Sequence, residues 1–214
     1  MIKKYKHFLK ENNIVYSSDE IDPYGEEDWD DEDLTPVLRI AKKYGVPYDQ
    51  ITKLECERIY LTNLEGIENL SNLQYLHCHN NHLTTLEGIE NLVNLKELFC
   101  NSNSLTSLRG IENLSNLWHL TCFQNNLTSL REIENLINLK ELSCHHNNLT
   151  SLNEIENLIN LKYLLCSDNN LTNLKGIENI SNLQYLRCQN NNFPEEYKQY
   201  LIDYCKNKKI DFKI

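Results

Sequence analysis

The chain has 214 residues, a formal net charge of −10, 40 % hydrophobic and 24 % charged residues. That length suits one domain with appendages, and the composition is that of an ordinary soluble chain. The acidic excess excludes a nucleic-acid binder of the basic-patch kind, and no run approaches the roughly 20 apolar residues of a membrane span.

The N-terminus, MIKKYKHFLKENN, is basic but lacks an apolar h-region and a small-residue cleavage site. No signal peptide is expected, so the chain reads as cytoplasmic, in the host-cell cytoplasm if its source is viral. Its eight cysteines are then expected as reduced thiols. Residues 3–11 predict a short helix with Tyr5, Phe8 and Leu9 on one side. The run SSDEIDPYGEEDWDDED (17–33) reads as a solvated acidic loop that lacks calcium-loop spacing. A helix is expected over 36–44: Thr35 caps it, Pro36 opens it, Gly45 stops it, and Val37, Leu38, Ala41 and Tyr44 share a face. Residues 1–50 are therefore an N-terminal helical cap with an acidic loop.

A period dominates the chain from residue 51 onward. LQYLHCHNN starts at Leu73, and copies start at Leu95, Leu117, Leu139, Leu161 and Leu183, each 22 residues after the last. A weaker copy, ITKLECERI, starts at Ile51. Fixed self-similarity at this spacing means stacked units that cannot bury their apolar faces alone. In the unit LKELFCNSNSLTSLRGIENLSN (95–116), apolar residues fall at positions 1, 4, 6, 11, 14, 17 and 20, and Asn at 9.

This pattern resembles the leucine-rich repeat, LxxLxLxxNxL, with Cys in place of the third Leu. It is similar to the 22-residue class of internalins and of regulatory-subunit-type phosphatase partners. The resemblance covers 51–193 in seven copies. It implies an α/β solenoid: a horseshoe or arc with a parallel concave β-sheet, single 3₁₀ turns on the convex side, and helical caps at both ends. It implies little about function, because the scaffold hosts many roles. Within LxxLxC, positions 4 and 6 point into the core and 3, 5 and 7 outward.

Stacking turns these positions into three columns. Cys56, Cys78, Cys100, Cys122, Cys144, Cys166 and Cys188 stack inward as small hydrophobes, expected to be unreactive. Asn81, Asn103, Asn125, Asn147, Asn169 and Asn191 are implied by the resemblance to bond the backbone of neighbouring turns. Glu68, Glu90, Glu112, Glu134, Glu156 and Glu178 either accept backbone N–H groups at the convex turn or sit in water. Cys144-His145-His146 resembles a zinc motif only in isolation, since Cys144 is inward and His145 outward.

Pro194 opens PEEYKQYLIDYCKN, whose Tyr197, Tyr200, Leu201, Tyr204 and Cys205 have the spacing of an amphipathic helix. The tail IDFKI alternates and predicts a final strand, making 194–214 a C-terminal helix-strand cap.

The copies share their scaffold positions and differ at the outward ones. Tyr75, His77, Phe99, His119 and Phe123 are expected to cluster on the concave face, with Tyr163, Leu165, Tyr185 and Arg187 as a second group. Aromatics and Arg anchor interfaces. The expected function is a monomeric, non-enzymatic scaffold that binds a protein or peptide there. No catalytic residue, metal or cofactor is expected. Two alternatives remain: a metal-dependent protein or enzyme using the concave histidines, and an internalin-like surface adhesin.

Overall fold

The computed structural model describes residues 14–16, 35, 37–39, 42 and 45–214. The helix expected over 3–11 and the acidic loop lie outside these residues. Of the helix expected over 36–44, residues 37–39 and 42 are described and are helical, and Val37 is buried. No helix among the described residues is long and apolar enough to cross a membrane.

Among the described residues, nine short strands form one parallel sheet in sequence order. They are β1 (Ile14–Tyr16), β2 (Lys53–Glu55), β3 (Tyr75–His77), β4 (Glu97–Phe99), β5 (His119–Thr121), β6 (Glu141–Ser143), β7 (Tyr163–Leu165), β8 (Tyr185–Arg187) and β9 (Asp211–Lys213). Successive copies pair in strict register: Leu54, Leu76, Leu98, Leu120, Leu142, Leu164 and Leu186 lie side by side. All seven are fully buried, while their strand neighbours at positions 3 and 5 face out. β1 was not anticipated within 1–50, read as a helical cap with an acidic loop: Ile-Val-Tyr, β-branched and aromatic, pairs with β2.

The strands are shorter than the LxxLxC run because the chain turns at position 8. There Arg58, Asn80, Ser102, Gln124, His146, Asp168 and Asn190 all take φ between 52° and 59°. Such left-handed backbone costs most side chains about 1–2 kcal/mol and Asn or Asp less. Three of the seven copies carry Asn or Asp there.

The turn is held by the first asparagine column, as the resemblance implied. Asn125 Oδ1 accepts from Leu105 N at 2.9 Å, and its Nδ2 donates to Cys100 O and Cys122 O. Asn81, Asn147 and Asn169 repeat the arrangement. These bonds tie each unit to the one before it and satisfy backbone groups that burial would otherwise orphan.

A second asparagine column, at position 22, was not anticipated. Asn94, Asn116, Asn138, Asn160 and Asn182 each donate to the carbonyl of the preceding copy's position 21. The signal was present, since Asn ends every copy from Asn72 to Asn182.

The glutamate column divides. Glu68, Glu90 and Glu112 accept from the backbone N–H of Gly66, Gly88 and Gly110 at 2.8–3.0 Å, as one expectation had it. Those glycines have φ from 94° to 110°. Where Glu132 and Glu154 replace the glycine, the backbone avoids positive φ and the 3₁₀ turn starts earlier, at Arg131 and Asn153. Glu178 instead accepts the hydroxyl of Tyr200 at 2.5 Å.

Helix α1 (Glu195–Lys208) begins after Pro194 and ends at Lys209, whose φ is 58°. Leu201 and Cys205 are buried as expected. Tyr200 departs from the expected apolar face: it is 39 % exposed. Tyr197 and Tyr204 fasten the helix to the copy that starts at Leu161, through Leu174 N and Ile177 O. The chain then returns as β9 beside β8.

Candidate functional surface

The outward face of β2–β8 carries the side chains that packing does not dictate. Its register places position-3 and position-5 residues in two parallel columns, with successive strands about 4.8 Å apart. On it the ring of His77 stacks on Phe99, with centroids 4.2 Å apart and planes 3° apart. Phe99 meets His119 edge to face at 4.8 Å. Trp118 extends the group at the edge of the sheet, 5.4 Å from His119.

Phe123 does not join this group. It stacks on His145 at 4.3 Å. The reason is its position: Phe123 and His145 occupy position 7, beyond the strand. His145 was not among the expected anchors, although its place beside Phe123 in one column could have revealed it. Tyr75 is half-buried on β3 and makes no ring contact among the described residues. Position 7 is also less open than its outward reading implied, since Asn101 and Ser167 are buried. Thr121 Oγ1 bonds Asn101 Oδ1 and helps to cover it.

Tyr163 and Tyr185 lie 6.1 Å apart, and Leu165 sits beside Arg187 in the sheet register. Arg187 is engaged within the chain. It lies 3.6 Å over the Tyr185 ring, donates to Leu186 O and Asp211 O, and pairs with Asp211 Oδ1 at 3.0 Å. These contacts clasp β9 to β8.

Electrostatics vary along the face. Lys53 on β2 and His77 on β3 both reach Glu55. Burial works to raise that carboxyl, but hydrogen bonds from His77 and Lys53 outweigh it and hold it below its ordinary value. Burial lowers His79 and His119, against the opposing pull of Glu57 for the first and of Glu141 and Glu97 for the second. It lowers His145 too, helped by His146. Three polar atoms at this end, Glu57 Oε2, His77 Nε2 and His79 Nδ1, have no hydrogen-bond partner among the described residues.

These shifts set the direction of a pH effect. An imidazole held below its ordinary 6.5 binds fewer protons folded than unfolded. The stability it contributes is present above 6.5 and is lost as pH falls through the lower folded value. Glu55 and Asp168, both held low, add a second loss below the ordinary carboxylate range. The melting temperature should therefore fall on acidification from pH 7.5 to 5, and His119→Gln with His145→Gln should flatten that first step. Thermal melts across this range check it; a melting temperature that rises in acid contradicts it.

The cysteine column is core. All eight thiols are free and buried, and burial pushes Cys78 and Cys144 up to about 12. A thiol so far from ionising is neither nucleophile nor ready ligand. Cys144 and His145 do lie on opposite faces, and His146 holds the left-handed turn at φ 52°. Among the described residues no group of three or more His, Cys, Asp or Glu is arranged to hold a metal.

No sequence-family model matches the chain, and no curated protein matches it either. Solved structures do. The internalin inlF of Listeria monocytogenes superposes with a TM-score of 0.72 at 22 % identity, over 84 % of this chain and 50 % of its own. Internalin C2 of the same organism gives 0.56 at 26 %, over 69 % of this chain and 75 % of its own. A leucine-rich-repeat protein of Leptospira interrogans gives 0.61 at 27 %, over 79 % and 51 %. The chain thus spans about half the length of the first and third of these. With a strict 22-residue period, an in-register parallel sheet and an asparagine column tying each turn to the last, the chain is a leucine-rich-repeat protein.

Proposed function

We propose that the chain is a non-enzymatic interaction scaffold that docks a protein or peptide on its outward sheet face, the concave face of a leucine-rich-repeat arc. The likeness to internalins and to the Leptospira protein supports an interaction scaffold in general terms. The observation that carries the finer reading is the contrast between columns. Positions 4 and 6 repeat Leu and Cys in all seven copies and position 9 repeats Asn from Asn81 onward, while positions 3, 5 and 7 vary from copy to copy. Phe99 and Phe123 stand on that varied face only half-buried, outside the buried core. Aromatic rings held rigidly at a surface supply contact area at little entropic cost. Eight free thiols suit a reducing compartment, which favours the cytoplasmic reading over that of a surface adhesin.

The test uses a partner captured from the native host. Phe99→Ala with Phe123→Ala should weaken its binding by about 2 kcal/mol or more while leaving the melting temperature within a few degrees. Calorimetric titration measures the first and circular dichroism the second. Unchanged affinity would falsify the reading.

A further inference from the structure

The centre of the outward face is acidic as well as aromatic. Glu97 on β4, His119 on β5 and Glu141 on β6 are register partners in one column. Two carboxylates therefore flank one imidazole, about 10 Å apart by strand spacing. His119 Nε2 lies 3.6 Å from Glu141 Oε2. No Lys or Arg lies within ion-pair distance of Glu97 or Glu141 among the described residues. Lys96 precedes Glu97 but donates to Gln74 Oε1 at 2.7 Å instead. Lys140 precedes Glu141 without reaching it. From β3 to β7, positions 3, 5 and 7 contain no Lys or Arg at all. Burial keeps His119 short of protons at neutral pH, so it does not balance the two carboxylates.

Beside this column stands the corner formed by Phe99 and His119, whose planes meet at 64°. A planar cation fits such a place better than any other side chain. Its flat face lies on aromatic rings, and its N–H groups fork toward carboxylates. An ammonium lacks the plane and the fork. A phosphate or carboxylate would be repelled.

We infer that the Phe99–His119 corner between Glu97 and Glu141 seats an arginine side chain of an extended segment of the partner protein. This rests on the docking role proposed for the outward face and names the chemistry it selects. Charge complementarity selects the occupant: acid at the centre of the face, no cation of its own to neutralise it, and aromatic surface beside it.

Selection of a random-peptide phage library on the full chain tests this, with calorimetry of the recovered peptides. Arginine should be enriched in the binders. Glu97→Gln with Glu141→Gln should weaken them about tenfold or more, and changing the key arginine to lysine should cost a similar factor. Both carboxylates are half-buried on the outward face and outside the core, so circular dichroism melts of the isosteric amide variants should stay close to the wild type. Phe99-dependent binders without arginine would overturn the arginine seat and leave the docking face standing. So would arginine peptides that bind the double amide variant, or their lysine versions, equally well. Binders indifferent to both Phe99→Ala and the amide variants, or no binders, would count against the seat and the docking face together.

Discussion

Asn125→Ala should destabilise the chain by about 3 kcal/mol or more, among the largest losses for any single polar side chain in it. Asn125 is buried, at 7 % exposure. Its amide accepts from Leu105 N and donates to Cys100 O and Cys122 O, joining neighbouring turns. Alanine leaves the buried Leu105 N–H without its partner, at about 1–3 kcal/mol, and takes one of two donors from Cys100 O and Cys122 O, which keep Asn103 Nδ2 and Asn147 Nδ2, at about 0.5–1.5 kcal/mol each. In a chain of this size that lowers the melting temperature by about 6–12 °C. Asn138→Ala is the control. It removes one exposed bond, to Ser115 O at 2.9 Å, and should cost only about 0.5–1 kcal/mol. Equal losses in thermal or urea unfolding would mean that the inner asparagine column does not hold the turns.

Gly176→Ala should cost about 2–4 kcal/mol, from two independent sources. Its φ of 88° lies in the left-handed half of the map, which penalises a Cβ by about 1–2 kcal/mol. The Cβ would also stand 2.4 Å from Glu156 Cβ and 2.9 Å from its Cα, so the neighbouring turn must move. Gly110 separates the two effects. Its φ is 110°, but the nearest atom to an added Cβ is Ile89 Cγ1, at 3.4 Å. Gly110→Ala should thus cost about 1 kcal/mol, from backbone strain alone. Unfolding curves of the two variants decide between them; a Gly110 loss as large as that of Gly176 would contradict the crowding argument.

The scaffold was legible in the sequence because stacking converts a linear period into columns. Once Leu76, Cys78 and Asn81 recur every 22 residues, the inward placement of the Leu and Cys columns comes from strand alternation alone. What escaped were features outside that alternation. The triplet at Ile14 is too short to separate from its surroundings, and its pairing with β2 is a long-range contact. The asparagine at position 22 was visible in the copies, but its carbonyl partner lies one turn back in space. On the outward face, the sequence joined His77, Phe99 and His119, which lie at outward positions of three adjacent strands and meet ring to ring. It misplaced Phe123, because position 7 lies past the strand and pairs along its own column with His145. It also could not show that Arg187 is committed to Asp211, since that contact exists only once β9 docks beside β8.

The most direct test of the outward face as the working surface is hydrogen–deuterium exchange on the complex with a captured partner. Side-chain docking there should slow exchange in the segments around β4 and β5, Glu97–Phe99 and His119–Thr121. It should leave the position-21 edge, where Val93, Ile137 and Ile159 stand about half exposed, unchanged. Protection confined to that edge, with β4 and β5 exchanging as in the free chain, would contradict the account.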